Sequence, residues 1–258
     1  MNSKIQKILS KKNKTKIICL TSYSKNLSEI LDKHTDIILV GDSLGSVLYS
    51  LNSTKKVTLN MMINHSKSVR QGVKKSLMVV DMPYNTYNNK IEALKNAKKI
   101  IKYSKADAVK LEGGKKISKI IKHLRKNKIN VMGHLGILPQ SQVGKFRYKG
   151  KTDTERRNLL NDAHLLQKSG VFSIVLECIE TRLAKKITSE LKIPTIGIGS
   201  SVNCDGQVLV TDDLVGLNLT PIKFVKNFYN IRKHFDFAIK KFTKEVKNKK
   251  YPSKKFSY

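Results

Sequence analysis

Short apolar runs and longer amphipathic segments alternate about eight times along this sequence, and this alternation limits the possible folds more than any other feature. Runs such as Ile37–Val40 and Leu77–Val80 are typical of strands that are covered on both faces of a parallel sheet. The segments between the runs carry apolar residues at helical spacing. We therefore predict an α/β fold, most simply a (β/α)8 barrel, with a doubly wound open sheet as the alternative. No Gly-x-Gly-x-x-Gly motif opens the first unit, so a dinucleotide site is not expected.

The length of 258 residues suits a single barrel domain, and no linker, repeat or change in composition divides the sequence. We expect one domain over residues 1–258, with a short N-terminal helix at Ile5–Asn13 and a basic helical extension from Pro221 to Lys247. The remaining strands are predicted at Lys16–Leu20, Ala106–Leu111, Ile129–Met132, Val171–Leu176, Pro194–Ile198 and Val208–Val210. The helices between them are expected to begin at Thr21-Ser22, Thr58, Ile91, Ile117, Thr154 and Thr181.

Two connections are longer than the others. The stretch from Asp42 to Lys56 is expected to be irregular. The stretch from Leu138 to Lys151 is a polar, glycine-containing loop whose length suits an active-site cover.

Lysine dominates the charge of the chain, with 51 Lys and Arg against 19 Asp and Glu and a formal net charge of +32. Such a charge suits a nucleic-acid-binding protein, because Lys and Arg displace counterions from phosphate. Nucleic-acid surfaces, however, usually carry clustered Arg, interleaved aromatic residues or a recognisable module, whereas Lys is here spread over every helical segment. Codon bias in an A+T-rich genome is sufficient to explain this composition, and an acidic partner or a polyanionic cofactor is the alternative.

The cysteines and the hydropathy of the chain indicate its compartment. Cys19, Cys178 and Cys204 are far apart and have no metal-type spacing, as in a reduced cytosolic protein. No apolar run approaches the roughly 20 residues of a membrane-spanning helix, and the N-terminus lacks the apolar middle of a secretory signal. We therefore expect a cytoplasmic protein without a membrane segment.

Polar side chains follow the predicted strands at the point where each strand ends. They are Asp42, Ser43, Asp81, Glu112, His134 and Glu177. Because all strands of a barrel end on one face, these side chains are expected to converge on one mouth. Acidic residues are scarce in this chain, so composition does not explain carboxylates at successive strand ends. Each residue also has an ordinary interpretation, as a turn acceptor, a helix cap or a structural histidine.

Three carboxylates in one pocket cannot all stay ionised without a counterion, and a divalent metal is the simplest one. Oxygen ligands favour Mg²⁺ or Mn²⁺ over Zn²⁺. Lys110 lies two residues before Glu112 and is expected to project from the same face into the mouth. Glu177, after an apolar run, is the candidate general base. A metal, a cation and a spare carboxylate predict proton removal beside the carbonyl of a 2-oxo acid, as in an aldol-type or isomerising enzyme.

A series of motifs covers nearly the whole chain, from about Lys16 to about Phe256. The motifs are V-G-D-S-L-G at Val40–Gly45, V-T-L at Val57–Leu59, H-S-K-S-V-R at His65–Arg70, D-M-P at Asp81–Pro83, A-V-K-L-E-G-G at Ala108–Gly114, V-M-G-H-L-G at Val131–Gly136 followed by P-Q-S, V-L-E-C at Val175–Cys178, I-P-T-I-G-I-G at Ile193–Gly199 and C-D-G-Q-V-L-V at Cys204–Val210. With these motifs in this order, the chain resembles the ketopantoate hydroxymethyltransferase family.

This resemblance implies a (β/α)8 barrel of the phosphoenolpyruvate/pyruvate type. It implies transfer of a hydroxymethyl group from the co-substrate 5,10-methylenetetrahydrofolate to 3-methyl-2-oxobutanoate, which gives 2-dehydropantoate in pantothenate synthesis. It also implies one Mg²⁺ per subunit and a cytoplasmic homo-oligomer, typically a decamer of two pentameric rings.

The same resemblance implies roles for individual residues. Those that correspond to metal-associated carboxylates are Asp42, Asp81 and Glu112. Those that correspond to keto-acid contacts are Asp42, Ser43, Asp81 and Lys110. Glu177 corresponds to the proton acceptor, and His134 falls in a motif near the reacting carbons.

A few positions depart from the family pattern. Ser24 stands where an aspartate is usual, Ser200-Ser201 replaces Ala-Gly, and Asp212 stands where a histidine is common. These departures leave every predicted metal ligand and the base in place. The alternative enzyme is a related metal-dependent barrel that acts on a phosphoenolpyruvate- or oxaloacetate-like acid. The alternative from another class, a basic nucleic-acid-binding module, is disfavoured because strand-end carboxylates would weaken phosphate binding.

Overall fold

Eight parallel strands close into a barrel in the order in which they occur along the chain. The computed structural model of the protein describes residues 2–141, 147–218 and 221–258. The strands are β1 (Ile17–Thr21), β2 (Ile37–Val40), β3 (Leu77–Asp81), β4 (Ala108–Glu112), β5 (Val131–Gly136), β6 (Ser173–Glu177), β7 (Thr195–Ile198) and β8 (Gly206–Leu209). Because β1 pairs with β8, the sheet has no free edge, which confirms the predicted barrel and excludes the open sheet.

Helices alternate with the strands as predicted. They are α1 (Ser3–Ser10), α2 (Lys25–Leu31), α3 (Leu44–Tyr49), α4 (Leu59–Gly72), α5 (Lys90–Ser104), α6 (Ser118–Lys126), α7 (Asp153–Ser169) and α8 (Thr181–Glu190). Thr58 is the N-cap of α4, as predicted, since its side chain accepts a hydrogen bond from the Met61 amide.

Alternation along the strands divides the apolar residues between two clusters. Ile37 and Leu39 of β2 belong to the cluster inside the barrel, whereas Ile38 and Val40 belong to the cluster beneath the helices. Helix α1 contributes Ile5 and Ile8 to the inner cluster, together with residues that begin the first three strands. The amino end of the barrel is therefore filled by apolar packing, which leaves the carboxyl end for chemistry.

Two local predictions are wrong. The stretch from Asp42 to Lys56 is not irregular throughout, because it contains α3 and a short 3₁₀ helix at Thr54–Lys56. Helix α7 is capped by Thr152 rather than Thr154, since the Thr152 hydroxyl accepts a hydrogen bond from the Glu155 amide at 3.2 Å. The middle of the predicted Leu138–Lys151 loop, residues 142–146, lies outside the described part of the chain.

The described residues form two compact units, Met1–Val210, which contains the barrel, and Thr211–Tyr258. The second unit contains the helices α9 (Thr211–Leu214) and α10 (Ile231–Lys247). The predicted helix from Pro221 is therefore wrong over its first ten residues, and Asn230 marks the real start as the N-cap of α10. The single domain expected over residues 1–258 stays a prediction.

Candidate active site

The period of two along a strand places the predicted polar side chains inside the barrel. In β4, Ala108 belongs to the inner apolar cluster, and Lys110 and Glu112 follow it on the same face of the strand. The corresponding pairs in neighbouring strands are Val79 and Asp81 in β3, Met132 and His134 in β5, and Val175 and Glu177 in β6. An apolar layer thus supports a polar layer at the carboxyl ends of the strands.

Lys110 and Asp81 form a buried ion pair in this polar layer. Lys110 Nζ lies 2.8 Å from Asp81 Oδ1, and the side chains are only 5% and 3% exposed. Burial raises the pKa of Asp81, although Lys110 opposes that shift. Burial also disfavours the ammonium of Lys110, but the charges of Asp81, Glu112 and Asp42 outweigh it and raise the pKa of Lys110. Lys110 therefore supplies a permanent positive charge among the carboxylates.

Asp42 is held against Asp81 directly after β2. Its backbone N–H donates a hydrogen bond to Asp81 Oδ2 at 3.1 Å. Burial, together with the charges of Asp81 and Glu112, raises the pKa of Asp42 to about 8. Gly41 leaves room for the Ser43 hydroxyl, because a Cβ at that position would lie 2.8 Å from it. The carboxyl group of Asp42 is consequently costly to ionise unless a cation binds beside it.

His134 lies between two glutamates. Its Nδ1 is 3.5 Å from Glu112 Oε1, and its Nε2 is 3.2 Å from Glu177 Oε2. Burial and the charge of Lys110 favour the neutral imidazole, but the two glutamates outweigh them and raise the pKa of His134 to about 9. For Glu112, burial opposes ionisation, but His134, Lys110 and a backbone N–H lower the pKa below its usual value. His134 thus connects the buried carboxylate to the predicted base.

Glu177 and Ser43 lie nearer to solvent than the rest of the polar layer. The Glu177 side chain is 19% exposed, so this carboxylate is less buried than its position after an apolar run suggests. The hydroxyl of Ser43 is 2.8 Å from the Tyr23 hydroxyl. His65 Nδ1 lies 2.8 Å from the backbone carbonyl of Tyr23, which fixes the segment after β1 beside Ser43. The structure therefore brings together all seven predicted site residues, with Glu177 and Ser43 at the accessible side.

Sequence reasoning missed Gln140 and Tyr87 as parts of this site. Gln140 is 2% exposed and donates a hydrogen bond from its side-chain amide to Asp42 Oδ2 at 2.8 Å. Tyr87 donates a hydrogen bond to Gln140 Oε1. The P-Q-S motif after β5 was the one available indication, since periodicity does not extend into a loop.

The donor chemistry of the site fits a hard divalent cation only in part. In residues 2–141, 147–218 and 221–258, no group of three or more His, Cys, Asp or Glu side chains is arranged to hold a metal ion. Asp42 and Asp81 are adjacent, and apart from its ion pair Asp81 Oδ1 has no hydrogen-bond partner among the described residues. Mg²⁺ is usually bound by one or two carboxylates, with water and substrate oxygens completing its shell. The two aspartates fit such an ion, whereas Glu112 as a third ligand stays a prediction.

Solved structures with a similar fold catalyse diverse reactions. A crystal structure of phosphonopyruvate hydrolase with oxalate and Mg²⁺ has a TM-score of 0.63 at 9% identity, covering 98% of this chain and 93% of that one. A 2,3-dimethylmalate lyase of the PEP mutase/isocitrate lyase superfamily has a TM-score of 0.61 at 11% identity, covering 100% and 89%. At these identities the similarity shows the fold alone, a (β/α)8 barrel. No helix in the described part of the chain is long and apolar enough to cross a membrane.

Sequence comparison is far more specific. The family model described as ketopantoate hydroxymethyltransferase matches residues 2–254. A 3-methyl-2-oxobutanoate hydroxymethyltransferase of Pelagibacter ubique is 65% identical over 258 residues, which is 100% of both chains. Relatives of the same name from Anaplasma marginale and Rhizobium etli are each 44% identical and cover 97% and 92% of this chain, which spans 91% and 88% of theirs. This chain therefore belongs to the ketopantoate hydroxymethyltransferase family.

Proposed function

We propose that this hydroxymethyltransferase converts 3-methyl-2-oxobutanoate, 5,10-methylenetetrahydrofolate and water into 2-dehydropantoate and tetrahydrofolate, a step of pantothenate synthesis. The relatives named for the keto acid support the acceptor. The folate donor is what the family resemblance implies. The observation that carries the proposal is the polar layer at the carboxyl ends of β2 to β6. It combines a buried cation, paired aspartates and an accessible carboxylate, which are the groups needed to remove a proton beside a carbonyl.

Asp42 and Asp81 are the residues that would hold one Mg²⁺ per subunit, with Glu112 as the further predicted ligand. When bound there, the ion supplies positive charge that polarises a substrate carbonyl. The raised pKa values of both aspartates support this part of the proposal, since a buried pair of carboxyl groups ionises readily only beside a cation.

The keto acid is anionic, and the proposed contacts to it are Asp42, Ser43, Asp81 and Lys110. Lys110 offsets the charge of the substrate carboxylate while its ion pair with Asp81 fixes the position of the ammonium. Ser43 presents a hydroxyl oriented by Tyr23 at the accessible side of the site. These groups place the substrate between the aspartates and Glu177.

Glu177 is the proposed proton acceptor. Its carboxylate takes the proton from C3 of the keto acid, and C3 then forms a carbon–carbon bond to the methylene carbon of the folate while a carbon–nitrogen bond of the donor breaks. Water supplies the hydroxyl oxygen of the product as the second carbon–nitrogen bond of that methylene carbon breaks, and the C3 proton and one proton of the water end on the two folate nitrogens. His134, whose Nε2 lies 3.2 Å from Glu177 Oε2, is the neighbouring side chain that orients the base.

The first half of this reaction is tested by exchange of the C3 proton of 3-methyl-2-oxobutanoate in D₂O, followed by NMR. We expect wild type with Mg²⁺ to exchange the proton, and we expect EDTA or the Glu177→Gln substitution to lower the rate at least about 100-fold, because general base catalysis contributes about 10²–10⁴-fold. Tetrahydrofolate is included in a parallel series, so that exchange that requires a bound folate is also seen.

Glu180→Gln is the matched control. Glu180 lies three residues after Glu177, but its carboxylate accepts hydrogen bonds from the amides of Arg182 and Leu183 at the start of α8. This variant is expected to retain exchange. Undiminished exchange in Glu177→Gln would reject Glu177 as the base, and consumption of a different keto acid in preference would reject the proposed substrate. The cytoplasmic location and the decamer implied by the family resemblance belong to the same proposal.

A further inference from the structure

Gln140 contacts three strand ends from the loop that follows β5. Its side-chain Nε2 donates hydrogen bonds to Asp42 Oδ2 at 2.8 Å and to the Met82 carbonyl at 3.0 Å. Its backbone N–H donates to Glu112 Oε2 at 3.1 Å. One residue therefore binds the ends of β2, β3 and β4, although it belongs to none of these strands.

The orientation of the Gln140 amide is determined by its partners. The Met82 carbonyl only accepts hydrogen bonds, so the group facing it must be the NH₂ rather than the carbonyl oxygen. Tyr87 donates its hydroxyl hydrogen to Gln140 Oε1 on the other side. A flipped amide would place its oxygen against the Met82 carbonyl, which cannot donate, and would lose that hydrogen bond.

From these contacts we infer that Gln140 is a positioning residue that holds the carboxyl groups of Asp42 and Glu112 in a fixed arrangement beside Asp81. A free aspartate side chain can rotate, and each cation that binds it must then restrict that rotation. The hydrogen bond from Gln140 Nε2 to Asp42 Oδ2 restricts that rotation beforehand, and the bond from the Gln140 backbone N–H restricts the side chain of Glu112 in the same way, as outer-shell partners do for the ligands of metal sites. The inference rests on the proposed function, because it takes Asp42 as a metal ligand.

Tyr87 supports Gln140 from outside the polar layer. Its hydroxyl donates a hydrogen bond to Gln140 Oε1 and also interacts with the backbone of Glu112. Loss of the Tyr87 hydroxyl should therefore affect the carboxyl group of Asp42 through Gln140. Weaker cation binding after loss of the Tyr87 hydroxyl would therefore support a positioning role of Gln140, because a side chain that only fills space would not transmit that loss to Asp42.

The test measures binding of Mn²⁺ alone, by electron paramagnetic resonance, to the full-length protein and to three variants. Gln140→Met keeps nearly the same volume but removes the side-chain hydrogen bonds, and we expect about 10- to 100-fold weaker Mn²⁺ binding. Tyr87→Phe removes one supporting hydrogen bond, and we expect about two- to ten-fold weaker binding. In the double variant, Tyr87→Phe should weaken binding by a smaller factor than it does alone, because its effect on Asp42 acts through the same amide.

Gln167→Met is the matched control. Gln167 Oε1 accepts hydrogen bonds from the amides of Lys192 and Ile193 outside the site, so this variant should keep wild-type Mn²⁺ affinity. Equal Mn²⁺ affinity in wild type and Gln140→Met, or additive effects in the double variant, would overturn the inference. If Gln140→Met does not fold, unchanged affinity in Tyr87→Phe overturns it instead. Absence of Mn²⁺ binding to wild type would reject the proposed metal site, and the inference with it, whereas proton exchange without dependence on Glu177 would reject the proposed base alone.

Discussion

Asp42 lies in an environment that disfavours its ionised form. It is buried beside Asp81 and Glu112, and these neighbours add to the cost of burial. Its pKa of about 8 in the folded protein compares with about 3.9 in an unfolded chain. The folded protein therefore binds more protons than the unfolded chain between these two values. The stability that this group contributes is fully present below about pH 4 and is lost as the pH rises through about 8.

Because stability should fall as Asp42 ionises, the raised pKa leads to a prediction for Asp42→Asn. In EDTA, the variant should be about 1–3 kcal/mol more stable than wild type at pH 8, because it removes a charge that the folded protein solvates poorly. The gain should shrink as the pH falls toward 4, where wild-type Asp42 is already neutral. Urea unfolding of both proteins between pH 5 and pH 8.5 measures the difference in the free energy of unfolding.

Other groups also make stability depend on pH, such as Asp32, whose pKa is lowered by amide donors despite partial burial. Their contribution cancels when wild type and Asp42→Asn are compared at the same pH. Saturating Mg²⁺ should reverse the order of stability at pH 8, since the ion stabilises only the protein that retains Asp42. A wild-type protein that stays as stable as Asp42→Asn at pH 8 in EDTA would contradict the raised pKa.

At the scale of single residues, the sequence identified the charged side chains of the site but not the neighbouring residues that hold them in position. Asp81, Lys110 and Glu112 were predictable because each ends a strand on its inner face, and a period of two needs no knowledge of distant contacts. Gln140 was not predictable as a partner of Asp42, because the two are 98 positions apart and a loop has no period that aims a side chain. The lower burial of Glu177 also depends on the surrounding loops rather than on its own strand.

At the scale of elements, the register of β5 and β6 places Glu177 beside Gly136, two residues beyond His134. Gly136 ends β5 beside Glu177 of β6 and has a φ of +105°. A Cβ on Gly136 would overlap the backbone carbonyl of Glu177. The absence of a side chain at Gly136 is therefore what lets the strand that carries the base approach so closely.

We expect Gly136→Ala to lower the rate of C3 proton exchange by about 100-fold, because displacement of a catalytic group by about 1 Å has an effect of this size. The substitution should also reduce stability by about 1–3 kcal/mol, the cost of an unfavourable backbone conformation. Exchange is followed by NMR, and stability by urea unfolding.

Gly170→Ala is the control that separates the effect on proton exchange from the effect on stability. Gly170 ends α7 with a φ of +94°, but its nearest neighbour is the flexible side chain of Arg125 at 3.3 Å. This variant should lose a comparable amount of stability and keep its exchange rate. Equal exchange rates in the two variants would show that the position of β6 does not depend on Gly136.

The elements were predictable to different degrees for physical reasons. Strands covered on both faces are continuous apolar runs, so all eight were found, with shifted ends. Helix α3 was missed because it has six residues and its first residue follows Ser43, whose side chain makes no capping hydrogen bond. Its end at Ser50, which has a left-handed conformation without a glycine, gives no sequence signal either.

On the scale of the whole molecule, the excess of positive charge lies outside the polar layer, which is itself rich in carboxylates. The chain carries a formal net charge of +32, and the substrates of the proposed reaction are both anions. A field of this sign raises the local concentration of anions and speeds their encounter with the protein. Composition alone did not reveal whether this charge has a role, because codon bias produces the same excess of lysine.

Folates with different numbers of glutamates distinguish a functional charge from a compositional one. If the charge acts on the donor, the KM for a donor with several glutamates should lie below that for the monoglutamate at low salt, since each added carboxylate is attracted. The difference should diminish as ionic strength rises to about 0.1 M and beyond, where charges separated by more than about 10 Å are screened. Sodium chloride titrations of the initial rate with each donor measure this, and the KM for the keto acid, which carries one charge, serves as the internal control. A donor KM that is independent of both glutamate number and salt would identify the net charge as a consequence of composition, while leaving the chemistry at Asp42, Lys110 and Glu177 untouched.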